Sequence, residues 1–388
     1  MVTTHSGYRD RARTLEGRRR ATLSPILFLR YVARMRAVHV DGTVLFGTVA
    51  CPASVITAAL LLFASSSTAQ VMYLDEQFGF THTSSVVYAI KPVGSPPVDF
   101  DLLLELYEPS GPGVPTGRPA VIAIHGGSFT GGSRFSAVMI GICERMARLG
   151  YTCVSIDYRL LGQAPVVGPS FQLLEALVAF TDPTRATAIA AATEDTVAAL
   201  QWLLDNAVEF DIDPFRVILT GNSAGGALTE FVAYVANDTG VVLPAQPRAT
   251  FNIAGSFDPS FQVVAADEAA LLIAHGDLDT VVPVAGAFAL RDQAVAAGVA
   301  NELLVLSGKG HGNFDLFTDE VAPGETIFER FVTFAYQHVV PAPAVPALSG
   351  PGLVLLSLAI SGLGLAIGRS RRPDALCDSR LGSRRLRR

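Results

Sequence analysis

Apolar residues in the middle of the chain fall into short, uninterrupted runs separated by longer mixed segments. Most runs are rich in aliphatic or β-branched residues, which is typical of buried strands. The runs are residues 85–90, 100–107, 120–124, 151–158, 217–219, 249–254, 271–275 and 302–306. Helix-compatible segments lie between them, at residues 137–149, 193–206, 227–235 and 284–297. Alternating strands and helices predict the α/β class, with a mostly parallel, doubly wound sheet and flanking helices.

One segment, residues 161–190, interrupts this alternation. It contains Pro165, Pro169 and Pro183 among short apolar runs and is too long for an ordinary connection. We therefore expect a small cap or lid here, inserted into a catalytic domain of residues 70–340. The helix after it is expected to start at Thr193, with a capping box.

The chain ends differ from this domain. Residues 44–63 are apolar and are followed by small residues up to Ala69, which predicts a signal peptide within a basic extension of residues 1–69. A retained membrane anchor is the alternative. A Pro/Ala-rich linker is expected at 341–352, then an apolar transmembrane sorting helix with an arginine cluster at 353–372, and a basic tail at 373–388.

Charge and cysteine usage narrow the function classes. Residues 70–340 carry 12 basic and 30 acidic side chains, a formal charge of −18, which argues against a nucleic-acid partner. No Cys/His cluster has zinc-ligand spacing, so no metal and no cofactor is expected. Cys143 and Cys153 fall in a predicted helix and the strand after it. Because backbones of a facing helix and sheet usually lie too far apart for a disulfide, we expect two buried thiols, with a disulfide as the alternative.

The strongest chemical motif follows the run 217–219. Residues 221–225 read Gly-Asn-Ser-Ala-Gly, between a strand and a helix, which is the arrangement of a nucleophile elbow. The tight turn would strain Ser223 and leave no room for a Cβ at Gly221 or Gly225. Ser223 is therefore the candidate nucleophile.

A serine nucleophile needs a base and an acid that orients the base, and both follow later strands. His311 lies between two glycines after the run 302–306, and Asp277 and Asp279 both follow the run 271–275. Either aspartate could serve as the acid. The amides of Gly126 and Gly127, after the run 120–124, together with that of Ala224 could form an oxyanion hole.

These motifs resemble the α/β-hydrolase superfamily, in its esterase branch near hormone-sensitive lipase, the small carboxylesterases and feruloyl-esterase-like domains. The matching motifs are His-Gly-Gly at 125–127, Asp-Tyr-Arg-Leu at 157–160, Gly-Asn-Ser-Ala-Gly-Gly at 221–226, His-Gly-Asp-Leu-Asp at 275–279 and Gly-His-Gly at 310–312. The resemblance implies that Ser223 is the nucleophile, Asp279 the acid and His311 the base. Ser128 stands where many relatives carry a third glycine. The segment from Val345 into the final arginines resembles C-terminal sorting signals processed by exosortase-like enzymes in Gram-negative bacteria.

The resulting hypothesis is an exported serine hydrolase that cleaves carboxylic esters, small or polymer-linked, through an acyl-enzyme intermediate. We expect it at the cell surface, in the outer membrane or outside the cell, with the C-terminal helix in a membrane. An amide or peptide hydrolase could use the same triad. A non-catalytic surface binding module on the same fold is the alternative from another class.

Overall fold

A computed structural model describes residues 72–256 and 267–340; the predicted signal peptide, linker, sorting helix and tail lie outside these ranges. Ten strands are present in the described residues. They are β1 (Gly79–Val93), β2 (Val98–Ser110), β3 (Arg118–Ile124), β4 (Thr152–Ile156), β5 (Ile212–Asn222), β6 (Ala249–Ile253), β7 (Ala270–Gly276), β8 (Asn301–Leu306), β9 (Glu320–Ala322) and β10 (Glu325–Thr326). β9 and β10 form a separate two-stranded sheet.

The described ranges also contain six α-helices. They are α1 (Ala137–Arg148), α2 (Gln172–Val178), α3 (Ala186–Asp205), α4 (Ala224–Glu230), α5 (Ala285–Ala297) and α6 (Ile327–Val339). α4 continues directly into a π-helical turn, Phe231–Val235. Among the described residues no helix combines the length and apolar character that a membrane span requires.

The main sheet has eight strands in the order β1-β2-β4-β3-β5-β6-β7-β8. The strands from β4 to β8 in that order pair in parallel, whereas β2 runs antiparallel to both β1 and β4. This is the predicted α/β sheet. Because the parallel strands share one direction, the loops that follow β3, β5, β7 and β8 meet at one edge.

Helices cover both faces of the sheet. In β3, Ile122 and Ile124 pack toward the core that contains α3 and α4, while Val121 and Ala123 pack toward the core of α1 and α6. α5 packs on a third cluster, which includes Tyr234 of the π-helical turn and Ile273 of β7. Both faces of the central strands are therefore buried, which explains why they appear in the sequence as continuous apolar runs.

One helix start was predicted wrongly and one helix was missed. The helix expected from Thr193 begins at Ala186, and its N-cap residue, Arg185, makes no side-chain capping bond. The seven residues before Thr193 are mostly alanine, the strongest helix former, so the helix extends back to the chain just after Pro183. The helix α6 was not predicted, although Thr326 and Glu329 form a capping box at its start.

Cys143 and Cys153 form a disulfide, so the expectation of two free thiols was also wrong. Cys143 lies on α1 and Cys153 on β4, the strand that directly follows this helix, and their Cα atoms are 5.0 Å apart. α1 packs closely enough on β4 to bring the two backbones within disulfide range.

Candidate active site

The turn between β5 and α4 has the geometry of a nucleophile elbow. Ser223 has φ 53° and ψ −118°, a left-handed conformation that strains a residue with a Cβ. A Cβ at Gly221 would lie 2.4 Å from the carbonyl carbon of Gly225, and one at Gly225 would lie 2.1 Å from the Ile124 oxygen. These two positions therefore require glycine, as the sequence predicted.

Ser223, His311 and Asp279 are joined by hydrogen bonds. Ser223 Oγ lies 3.0 Å from His311 Nε2, and His311 Nδ1 lies 2.7 Å from Asp279 Oδ2. A neutral imidazole with its proton on Nδ1 donates to Asp279 and leaves Nε2 to accept from the serine hydroxyl. The loops after β5, β7 and β8 thus bring together three residues that are far apart in the sequence.

Asp279 is held in the charged form that an orienting carboxylate needs. Its burial alone would raise the pKa, but hydrogen bonds from the Val282 amide, from His311 and from the Val281 amide outweigh burial and lower the pKa below its ordinary value. Both amides lie 2.8 Å from Asp279 Oδ1. The loop after β7 therefore fixes the position of the acid and its ionisation together.

The neighbouring candidates at this loop have different contacts. Asp277 Oδ1 accepts a hydrogen bond from the Gly308 amide at 2.7 Å, so it ties the two loops together instead of facing His311. His275 is buried, and its Nε2 donates to the Val282 carbonyl at 2.8 Å. His275 therefore anchors the loop that follows it.

The glycine loop after β3 departs from the prediction at one residue. The Gly126 amide donates to Asn222 Oδ1 at 3.0 Å, so it is not free for an oxyanion. Within the described residues the Gly127, Ser128 and Ala224 amides have no hydrogen-bond acceptor. Gly126 was therefore a wrong choice and Ser128 was missed, because the Asn222 contact arises only in three dimensions.

His125 shapes this loop. Its Nδ1 donates to the Gly126 carbonyl at 2.7 Å, and its ring stacks on Tyr158 with centroids 4.2 Å apart. Burial lowers the pKa of His125, which favours the neutral ring. Gly127 has φ 121°, and a Cβ there would lie 2.2 Å from the Gly131 oxygen, so glycine is required.

Three cavities meet at Ser223. One, of about 300 Å³, lies between Ser128, Ala224 and the segment 178–189 of the predicted lid. A second, of about 360 Å³, is lined by His311, Phe314 and Phe317 among other apolar side chains. The third, of about 510 Å³, is a more open cleft along the glycine loop. A substrate with groups on both sides of the reacting atom could therefore be accommodated.

The start of the lid segment is tied to the core by a buried arginine. Arg159, in the Asp-Tyr-Arg-Leu motif, has no solvent exposure, and its guanidinium contacts Asp195 and Glu194 of α3 at 2.8 Å each. The same guanidinium donates to the Val166 carbonyl at 2.8 Å. Its role was not predicted from the motif, which gave only the family resemblance.

No group of three or more His, Cys, Asp or Glu side chains suitable for a metal ion occurs in residues 72–256 and 267–340.

The sheet order, the elbow and the hydrogen-bonded Ser–His–Asp set are those of the α/β-hydrolase fold. Two family models match parts of the chain and agree with this fold. A family model described as the alpha/beta hydrolase fold matches residues 184–269, and a second model, BD-FAE, matches residues 104–170.

The curated relatives that the chain resembles are esterases by name. Carboxylesterase NlhH of Mycobacterium tuberculosis is 28% identical over 140 residues, which cover 36% of each chain. An arylesterase of Saccharolobus solfataricus is 29% identical over 153 residues, 38% of this chain and 40% of that protein. The matched segments thus span less than half of either relative.

The solved structure of Thermogutta terrifontis esterase 2 phosphorylated by paraoxon superimposes with a TM-score of 0.51 and 22% identity. The alignment covers 68% of this chain and 96% of that one. At this identity the likeness concerns the fold.

Proposed function

We propose that the protein is a serine hydrolase that cleaves carboxylic esters through an acyl-enzyme intermediate. The observation that carries the proposal is the hydrogen-bonded set Ser223–His311–Asp279 beside the free amides of Gly127, Ser128 and Ala224. The relatives' names, carboxylesterase and arylesterase, support esters as the substrate class.

In the proposed reaction, Ser223 Oγ attacks the ester carbonyl carbon while His311 Nε2 takes the hydroxyl proton. The carbonyl oxygen becomes an oxyanion that accepts hydrogen bonds from the free amides. The bond to the alcohol oxygen then breaks, and His311 returns the proton to that oxygen. Water repeats the sequence and releases the acid, while Asp279 stays ionised and stabilises the imidazolium.

The test is hydrolysis of p-nitrophenyl acetate, butyrate and octanoate by the purified protein and by Ser223→Ala. We expect turnover in the wild type and a loss on the order of 10⁴-fold or more in the variant. Ser84→Ala, at an exposed serine on β1, is the matched control and should keep the wild-type rate.

Labelling by a fluorophosphonate gives a second readout that does not depend on the ester chosen. A wild-type protein that hydrolyses no ester and is not labelled at Ser223 would contradict the proposal and favour a non-catalytic binding module. Turnover of p-nitroanilides that equals turnover of the matched esters would favour the amide hydrolase instead.

We also propose that the protein is exported. The support is the apolar run 44–63, which ends near Ala69, and the Cys143–Cys153 disulfide, since disulfides persist mainly in oxidising compartments. N-terminal sequencing of the protein from its native cells should begin at Gln70. An N terminus at Met1 or Met35 would contradict cleavage.

Anchoring through residues 353–372, with later trimming by an exosortase-like enzyme, extends this proposal. It rests on the apolar run and the arginines after it, in residues outside the described ranges. The intact mass of the cell-associated protein tests it: a C terminus before residue 353 indicates trimming, and an intact tail in a soluble fraction contradicts both steps.

A further inference from the structure

The positions of His311 and of the free amides assign the three cavities at Ser223 to parts of an ester. The leaving oxygen must reach His311, which lines the 360 Å³ cavity and the open cleft. The 300 Å³ cavity is lined by Ser128 and Ala224, whose amides are proposed oxyanion donors, and its lining does not include His311. The acyl group of the ester is therefore assigned to this 300 Å³ cavity, here named the acyl cavity.

The acyl cavity is lined by both apolar and charged side chains. Phe129, Val178, Ile189 and Phe231 form part of the walls. Asp182 and Arg185 also line it, both from the turn between α2 and α3 in the lid segment. Its volume corresponds to about ten water molecules, so it holds only a short acyl chain.

Asp182 and Arg185 form a partly dehydrated ion pair, here named the lid ion pair. Arg185 Nε lies 2.6 Å from Asp182 Oδ2, and the Arg185 amide donates to Asp182 Oδ1 at 3.1 Å. The side chains of Asp182 and Arg185 are 19% and 43% exposed. The pKa of Asp182 is lowered, because hydrogen bonds and charge from Arg185 outweigh its burial.

We propose that the lid ion pair sets acyl specificity and selects esters of short carboxylic acids that carry a neutral hydrogen-bonding group at the far end. This rests on the proposed esterase function. An alkyl terminus would cover the charges with methyl groups and supply no hydrogen bond in place of water. A hydroxyl or carboxamide can accept from Arg185 and donate to Asp182. A terminal carboxylate would gain little net attraction, because the charges of Asp182 and Arg185 cancel.

The test compares two p-nitrophenyl esters with acyl groups of the same shape. One is the ester of adipic acid monoamide, which ends in a carboxamide, and the other is 6-methylheptanoate, which ends in an isopropyl group. Since the leaving group is the same, the ratio of their kcat/KM values reports only the acyl side. We expect the wild type to prefer the carboxamide ester, and Arg185→Leu to lower that ratio by about tenfold, the effect of one hydrogen bond to a charged group.

Arg291→Leu is the matched control, because Arg291 forms an exposed ion pair with Asp292 on α5. It should keep the wild-type ratio. Arg185→Gln, which keeps an amide donor, should give an intermediate ratio and provides a second variant if Arg185→Leu does not fold.

Three outcomes would overturn the inference. They are an unchanged ratio in the folded Arg185 variants, an equal loss in Arg291→Leu, and a wild type that prefers the alkyl ester tenfold. In each case turnover of p-nitrophenyl acetate by the wild type shows that the proposed function still stands. If the wild type does not hydrolyse p-nitrophenyl acetate either, the proposed function itself fails.

Discussion

Two carboxyl groups near the nucleophile are almost completely shielded from solvent, and their surroundings favour opposite charge states. Asp279, on the loop after β7, is 7% exposed and has a lowered pKa. Glu230, seven residues after Ser223 on α4, is fully buried and has a pKa raised well above its ordinary value. Burial by itself therefore does not determine the charge of a group.

The difference lies in the number of donors that each carboxyl group meets. Asp279 accepts hydrogen bonds from two backbone amides and from His311. For Glu230, burial raises the pKa and the amide of the Asn252 side chain is the opposing contact. A loop at the sheet edge can direct several N–H groups at one carboxylate, whereas a helix interior has already used its own amides.

The largest expected effect is the loss of kcat when the charge of Asp279 is removed. In Asp279→Asn the side chain keeps its shape but loses its charge, and its amide can hold His311 in the wrong tautomer. We expect kcat for p-nitrophenyl acetate to fall on the order of 10⁴-fold, with a much smaller change in KM. Steady-state kinetics beside the wild type measure this.

Asp277→Asn is the control for that prediction. It keeps the Oδ1 acceptor for the Gly308 amide and should change kcat less than about threefold. Equal losses in the two variants would mean that the carboxylates act through loop structure, and that Asp279 has no special role in orienting His311.

A third buried carboxylate shows what a charged partner contributes. Asp195 has no solvent exposure and contacts the Arg159 guanidinium at 2.8 Å. Arg159→Met would leave the Asp195 and Glu194 carboxylates without this partner. We expect the free energy of unfolding to fall by about 3–5 kcal/mol, because an uncompensated buried charge is costly. Urea denaturation followed by circular dichroism measures it.

Arg291→Met removes an ion pair of the same kind from the exposed face of α5. Its cost should stay below about 1 kcal/mol. If the two arginine variants lose the same stability, the buried network is not acting through its buried charges.

Much of this arrangement could be predicted from the sequence, because it follows strand ends. Ser223, Asp279 and His311 each come after an apolar run that forms a parallel strand, and parallel strands bring such loops to one edge. The contacts made by individual amides could not be predicted. The Asn222 side chain accepts a hydrogen bond from the Gly126 amide. Because of this contact, the amides of Gly127 and Ser128, and not that of Gly126, are the free donors in this loop.

The start of the helix at Ala186 and the disulfide were predicted wrongly for similar reasons. Three prolines made residues 161–190 look irregular up to Thr193, yet the helix starts at Ala186, where the Asp182 side chain accepts from the Arg185 amide. The Cys143–Cys153 bond depends on how closely α1 packs on β4, a distance that average spacing between helix and sheet does not give. In each case tertiary packing outweighed the local pattern.

The smallest expected effect concerns Glu230, and it depends on pH. Since the pKa is raised on folding, the native state holds a proton that the unfolded state releases above a pKa of about 4.3. The free energy of unfolding of the wild type therefore falls as pH rises from that value toward the folded pKa.

Glu230→Gln replaces the protonated carboxyl by a neutral amide of similar shape and lacks this dependence. We expect the two proteins to differ by less than about 1 kcal/mol at pH 4.5, with the variant gaining relative stability toward pH 8. Thermal melts across this range measure the difference, and a constant gap would show that Glu230 is ionised in the folded protein.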